Sequence, residues 1–226
     1  MVRKVVSRYK PIILFIQETK LRKFDNGVVR SLGGNLLTRG IGVEAEGVSG
    51  GLISLWNDES FTVKACINSK RCIIMVGELI GVKQEMGSCN IYAANVERER
   101  KELWDYVIDA QKIFPLPWVI GGDFNSVLDP KRGKGEGEIW EYRDEASWAR
   151  LDRFLISPKI LLWFPNLLQF GLPRSLSNHN AILIGEKAVD WGPKPFHLFN
   201  GWLEDKEMMK EAVKGWKGCK VESSKS

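Results

Sequence analysis

The sequence predicts an α/β fold in four layers, two packed β-sheets with helices on their outer faces. Two observations carry this. Runs rich in β-branched and aromatic residues recur at 12–17, 52–56, 61–67, 72–80, 90–93, 118–121, 150–157 and 181–185, each about the length of a strand. Between them stand single stretches of helical periodicity, so the strands must collect into sheets that the helices cover. A chain of 226 residues, 44% hydrophobic and 27% charged, has enough apolar surface for one such core.

Taken in order, Val2, Val5, Val6 and Tyr9 share one face of a short helix that Pro11 stops before the strand 12–17. Glu18 follows at that strand's end. Residues 25–51 contain eight glycines and are expected to be turns between short strands; no Gly-Lys-Ser/Thr ending makes them a phosphate-binding loop. The runs 52–56, 61–67, 72–80 and 90–93 form a meander. Leu103, Val107, Ala110 and Phe114 then stripe a helix over 97–114, which Pro115 and Pro117 end before the strand 118–121. Residues 126–146 are polar and without period, hence loop. The strand 150–157 follows, and 170–177 is a turn-rich approach to the last strand. Beyond Trp191 the spacing of Leu203, Met208, Met209, Ala212 and Trp216 is helical, and the chain is polar from Gly218. The expected division is a domain over 1–188 and a helical linker with a polar tail over 189–226.

No apolar run is long enough to span a bilayer, and no secretory leader opens the chain, so a nuclear or cytoplasmic location without membrane attachment is expected. Cys66, Cys72, Cys89 and Cys219 lack Cys-x-x-Cys spacing and only two histidines are present, which argues against a zinc site and for reduced thiols with no disulfide partner. The net charge of +5 is local: seven cations (Arg3, Lys4, Arg8, Lys10, Lys20, Arg22 and Lys23) stand against Glu18 within the first 24 residues. They either hold nucleic-acid phosphates or line a solvated helix face. A monomer is expected.

The most informative segment is Val119-Ile-Gly-Gly-Asp-Phe-Asn-Ser126. Strand alternation puts Asp123 and Asn125 on one face, and Gly121 and Gly122 lack side chains, so a bulky phosphate diester is expected to approach the backbone there. Three further segments accompany it in order: Pro11 to Lys20 ending in Gln-Glu-Thr-Lys, Asn90-Ile-Tyr-Ala-Ala-Asn95, and Ser175-Leu-Ser-Asn-His-Asn180. Together they resemble the endonuclease/exonuclease/phosphatase superfamily, the fold of pancreatic DNase and apurinic endonucleases. Ile16-Gln-Glu-Thr-Lys20, Ser49-Gly-Gly-Leu-Ile-Ser-Leu-Trp56, Ser147-Trp-Ala-Arg-Leu-Asp-Arg-Phe-Leu-Ile-Ser157 and Gly192-Pro-Lys-Pro-Phe-His-Leu-Phe-Asn200 are similar, more narrowly, to the endonuclease of plant long interspersed (LINE) retroelements.

The resemblance implies a DNase-like α/β/β/α sandwich and Mg²⁺-dependent phosphodiester hydrolysis, with Mn²⁺ as an alternative ion and DNA as partner. It makes Glu18 the metal ligand, Asp123 the acid that orients or deprotonates the attacking water, and Asn125 a donor to the phosphate that also positions that acid. Tyr92 contacts the scissile phosphate, His179 stabilises the transition state, and Asp152 pairs with His179. Departures from the family are equally specific. Asn178 occupies the place of an aspartate at the metal and histidine site, and an amide keeps the shape but loses the charge. Tyr-Ala-Ala-Asn replaces Tyr-Ala-Pro-Asn after Tyr92. The family's opening strand, with its Asn-x-Arg-Gly motif, has no counterpart here, and the stretch from Asn125 to Leu151 is short, so an incomplete sandwich is expected. The implied function is a catalytically impaired endonuclease of retroelement origin. A non-catalytic nucleic-acid-binding module and a phosphatase of the same superfamily remain the alternatives.

Overall fold

The structure is a computed structural model of the chain and describes residues 2–46, 50–125, 152–172 and 181–186, with 140–141 as backbone. All of these fall in the compact unit Met1–Lys187. The expected helices and strands that fall within the described residues are present, with one helix added early and a two-residue strand, a helix and a further strand added late.

The helix α1 (Val2–Tyr9) buries Val6 and ends where Lys10, at φ 46°, returns its N–H to the Val6 carbonyl just before Pro11. The strand β1 (Ile13–Gln17) follows. Residues 25–51, expected to be turns between short strands, hold the short strand β2 (Arg39–Val43) but also, before it, the unexpected helix α2 (Asn26–Gly33). Its caps hide it in the sequence. Asp25 accepts hydrogen bonds from the Gly27 and Val28 amides, and Gly34 closes the helix at φ 63°, so both ends are capped by residues that read as loop formers.

Of the four runs expected to form one meander, β4 (Phe61–Asn68), β5 (Cys72–Leu79) and β6 (Gln84–Tyr92) do so, whereas β3 (Leu52–Trp56) pairs in another sheet with β1 and β2; α3 (Glu97–Ile113) and β7 (Trp118–Asp123) follow. A two-residue strand, β8 (Trp140–Glu141), falls where a loop was expected, because its backbone pairs with β9 (Asp152–Ile156). The chain then makes α4 (Pro158–Trp163), β10 (Leu167–Gly171) and β11 (Ile182–Glu186). The helix expected beyond Trp191 and the polar tail lie outside the described residues.

The strands collect into a three-stranded sheet β1-β3-β2, a two-stranded sheet β10-β11, and a six-stranded sheet β4-β5-β6-β7-β9-β8. Pairing is antiparallel except between β6 and β7, which run parallel because α3 crosses over between them. Alternation along β5 shows the layers. Cys72, Ile74 and Val76 face α3 residues Leu103, Val107 and Ala110, while Ile73 and Met75 face a second cluster with Leu52, Val119 and Ile156. A strand covered on both faces has no solvent side, which is why β5 reads as a continuous apolar run. A third cluster, Val6, Val29, Leu37, Ile53 and Leu55, seals α1 and α2 onto the three-stranded sheet. The expected α/β/β/α order of layers is therefore present.

A buried polar network crosses between the sheets. Gln17 on β1 donates to Asn90 Oδ1 at 2.6 Å, and Asn90 Nδ2 donates to the Ile53 carbonyl at 2.9 Å and Ser54 Oγ at 3.3 Å. Asn90 and Ser54 are completely buried. Replacing Asn90 with Leu strands these partners without solvent, so Asn90→Leu should destabilise the fold by about 2–4 kcal/mol. The measurement is the urea midpoint at constant m-value, and an unshifted midpoint would show that the bridge is dispensable.

Candidate active site

The site forms at one end of the six-stranded sheet, where register sets three side chains in a row. Tyr92 at the end of β6 lies opposite Asp123 at the end of β7, and Asp123 lies opposite Asp152 at the start of β9. Glu18 reaches the same place from the three-stranded sheet, accepting a hydrogen bond from the Tyr92 hydroxyl at 2.6 Å. Glu18, Asp123 and Asp152 line one cavity.

Asp123 is 4% exposed and tightly held. Its Oδ1 accepts the Asn125 backbone N–H at 2.9 Å, its carbonyl accepts the Ala93 N–H at 2.8 Å, and Asn125 Nδ2 donates to the Ala93 carbonyl at 2.6 Å. The Asp-Phe-Asn turn is thus tied to the segment after Tyr92, and Asn125 acts on Asp123 through its main chain while one amide hydrogen anchors the loop. Backbone strain concentrates here. Five non-glycine residues among those described have positive φ, and two of them are Glu18 at 50° and Asn125 at 44°.

The Tyr92 phenol is pushed up to about 12, first by burial, then by its hydrogen bond to Glu18 and the negative charge of Glu18 and Asp123. It is therefore a neutral proton donor throughout the physiological range. Arg71 partly offsets this, its guanidinium 5.6 Å from the Tyr92 ring centroid while it also pairs with Glu99 at 3.1 Å. Sequence reasoning missed Arg71. The only available signal was its position just before β5, whose end the meander folds back beside Tyr92, as the Tyr92 N–H bond to the Arg71 carbonyl records.

The structure thus brings Glu18, Tyr92, Asp123, Asn125 and Asp152 together. His179 and Asn178 lie outside the described residues. The role expected of the paired glycines is overturned. A Cβ at Gly121 would meet the Phe154 ring at 2.3 Å, and one at Gly122, where φ is 139°, would meet the Ile91 carbonyl oxygen at 2.0 Å. Those spaces are filled by protein, so the room freed by the missing side chains goes to strand and ring packing and not to a substrate, while Gly122 still lines the cavity beside Asp123.

The donor set suits a hard divalent cation. Among the described residues no three acids, histidines or cysteines form a set that could hold a metal ion by themselves, but Glu18 and Asp123 face one cavity, each with one oxygen engaged in a hydrogen bond. Mg²⁺ takes one or two carboxylates and keeps several waters, so two oxygen donors in a cleft are compatible with it. Cys66, Cys72 and Cys89 are free thiols, and no helix among the described residues is long and apolar enough to cross a membrane.

Comparison with known proteins follows the same line. The sequence pattern of the Endonuclease/Exonuclease/phosphatase family matches residues 1–179. No curated protein matches the chain. Among solved structures, the endonuclease/exonuclease/phosphatase from Bacteroides vulgatus aligns at TM-score 0.58 and 17% identity, over 81% of this chain and 87% of that one. The endonuclease domain of TRAS1, a telomere-specific non-LTR retrotransposon, aligns at 0.55 and 13%, over 82% and 90%. A mannosyl-6-phosphatase from Bacteroides thetaiotaomicron aligns at 0.51 and 14%, over 80% and 84%. At such identities the likeness establishes the DNase-like fold alone.

The raised Tyr92 value makes a pH prediction. A folded-state pKa above the unfolded value of about 10 adds stability that is complete below pH 10 and is lost as pH rises through about 12. In an ultraviolet phenolate titration Tyr92 should ionise near the top of that window, and Tyr92→Phe should delete this last component. A titration ending near pH 10.5 in the native protein would contradict the geometry.

Proposed function

Because the chain belongs to the endonuclease/exonuclease/phosphatase family, we propose that it is a Mg²⁺-dependent phosphodiesterase of the endonuclease type, of plant LINE origin, weakened at Asn178. The observation that carries this is the convergence of Glu18, Tyr92, Asp123 and Asp152 at adjoining strand ends around a buried, pre-oriented carboxylate.

Hydrolysis of a phosphodiester needs a deprotonated water, an in-line approach and relief of the charge on the crowded phosphorus. Asp123 is the base: the Asn125 N–H fixes one oxygen, and the other takes the proton of the attacking water. Glu18 would hold the cation. Bound there, Mg²⁺, or Mn²⁺ in its place, supplies positive charge against the phosphate oxygens. Tyr92, kept neutral, transfers its hydrogen bond from Glu18 to a phosphate oxygen when substrate enters. As the oxygen–phosphorus bond to the leaving strand breaks, His179 stabilises the developing charge, with Asp152 as its partner. Asn178 cannot supply the negative charge that an aspartate would give the cation and His179, and turnover is correspondingly weak.

A second reading has its own observation. Arg3, Lys4, Ser7 and Arg8 line one exposed face of α1, which fits nucleic-acid binding without turnover. Nicking of supercoiled plasmid separates the readings. We expect slow nicking that needs Mg²⁺, stops in EDTA, falls about 10²–10⁴-fold in Asp123→Asn and rises in Asn178→Asp. Bis(p-nitrophenyl) phosphate should be cleaved in preference to p-nitrophenyl phosphate, the reverse order favouring a phosphatase. Steeply salt-dependent DNA binding with no nicking by any variant would leave only the binding reading, and strong nicking by the unaltered chain would dismiss the weakening at Asn178.

A further inference from the structure

The strand β9 opens on Asp152, which lines the site, and continues with Arg153, a cation that the proposed chemistry does not use. Arg153 is 5% exposed, and its guanidinium carbon lies 4.4 Å from the centroid of the buried Phe124 ring. The Trp104 indole of α3 stacks on the same ring, with centroids 5.4 Å apart and planes 29° from parallel. Phe124 is thus held from two elements, from α3 through Trp104 and from β9 through Arg153.

The place of Phe124 in the chain gives these contacts their meaning. It is the middle residue of Asp123-Phe-Asn125. Asp123 lines the cavity, whereas Phe124 packs in the cluster formed with Leu103 and Val107 of α3, so the two side chains leave the strand end on opposite sides, as alternation requires. Any tilt of the Phe124 ring therefore turns the backbone that carries Asp123 and Asn125. The bonds that define the turn flank this residue: the Asn125 N–H to Asp123 Oδ1 at 2.9 Å, and the Ala93 N–H to the Asp123 carbonyl at 2.8 Å. Asn125 stands at φ 44°, a sparsely populated conformation that persists where its surroundings over-determine it.

Filling space does not by itself call for arginine. A methionine would occupy a similar volume without taking a charge out of water, whereas a guanidinium offers a planar cation to the ring face. We infer that Arg153 is a positioning residue: together with Trp104 it clamps Phe124, and through Phe124 it fixes the Asp-Phe-Asn turn and the carboxylate of Asp123. The conformational part stands on the contacts alone, and its consequence for turnover rests on the phosphodiesterase reading.

Amide exchange on the full chain tests the clamp without any reaction. Arg153→Met should speed exchange of the Asn125 and Ala93 amides about tenfold more than that of the β5 amides, and Arg153→Lys, which keeps the cation, should recover part of the loss. Phe124→Leu keeps the cation and removes the ring, so it should reproduce the methionine signature, and adding Arg153→Met to it should change little more. With bis(p-nitrophenyl) phosphate, Arg153→Met should lower kcat about tenfold at constant KM, the pattern of a misplaced base, and Arg153→Lys should restore part of it. Acceleration shared equally by β5, identical behaviour of the lysine and methionine variants, or additive effects in the double variant would each overturn the inference. Hydrolysis enters only the kinetic readout, so a chain that cleaves nothing would refute the phosphodiesterase reading while exchange at Asn125 and Ala93 still decides the clamp.

Discussion

The rest of the structure depends on the buried amide of Asn90. Two sheets that meet through aliphatic side chains have no directional reason to stop at one relative position, because apolar contact is nearly indifferent to small slides. Asn90 supplies the direction. Its carbonyl oxygen takes the Gln17 amide from β1, and its nitrogen gives to the main chain of Ile53 and the hydroxyl of Ser54 on β3, so one side chain of the large sheet reads two strands of the small one. A polar group with no exposure is costly if any partner is lost, and that penalty makes the arrangement specific.

The candidate site inherits its geometry from that fixed relation. Gln17 is held by Asn90, and Glu18 is the next residue, so the bridge places the carboxylate that meets Tyr92. On the large sheet the parallel pairing of β6 with β7 and the antiparallel pairing of β7 with β9 put Tyr92, Asp123 and Asp152 side by side. Positive φ at Glu18 and Asn125 is the conformational cost of turning the chain away at the two strand ends. Gly122 belongs to the same economy of space, since a side chain there would collide with the Ile91 carbonyl and push β6 from β7.

Electrostatics within the cleft are polarised. Three carboxylates gather at one end, and the hydroxyl among them is held neutral by burial and by their charge, so it can donate where a phenolate could not. Arg71 adds a cation on the outer side of the Tyr92 ring without entering the acid cluster. The same cavity is otherwise walled largely by apolar residues such as Ile13, Phe15, Val119 and Ile184.

The sequence by itself determined the class of fold and the identity of most candidate groups. Continuous apolar runs and period-3.6 stripes report burial directly, so the strand β5 was legible from Cys72 to Val76 and the helix α3 from Leu103 and Val107. Short ordered motifs around Glu18, Tyr92 and Asp123 named the acids and the phenol. The helix α2 was not legible, because its ends are made by Asp25 and Gly34, residues that serve turns equally well, and only the packing of Val29 against Leu37 and Leu55 decides between the two. The glycine pair was misread for a related reason: a missing side chain announces a close approach but not what approaches, and here it is Phe154 and the Ile91 carbonyl. The roles of Arg71, Asn90 and Arg153 were decided by tertiary structure alone, since each acquires meaning from a partner distant in sequence, and local patterns carry no record of contacts closed only when the sheets pack.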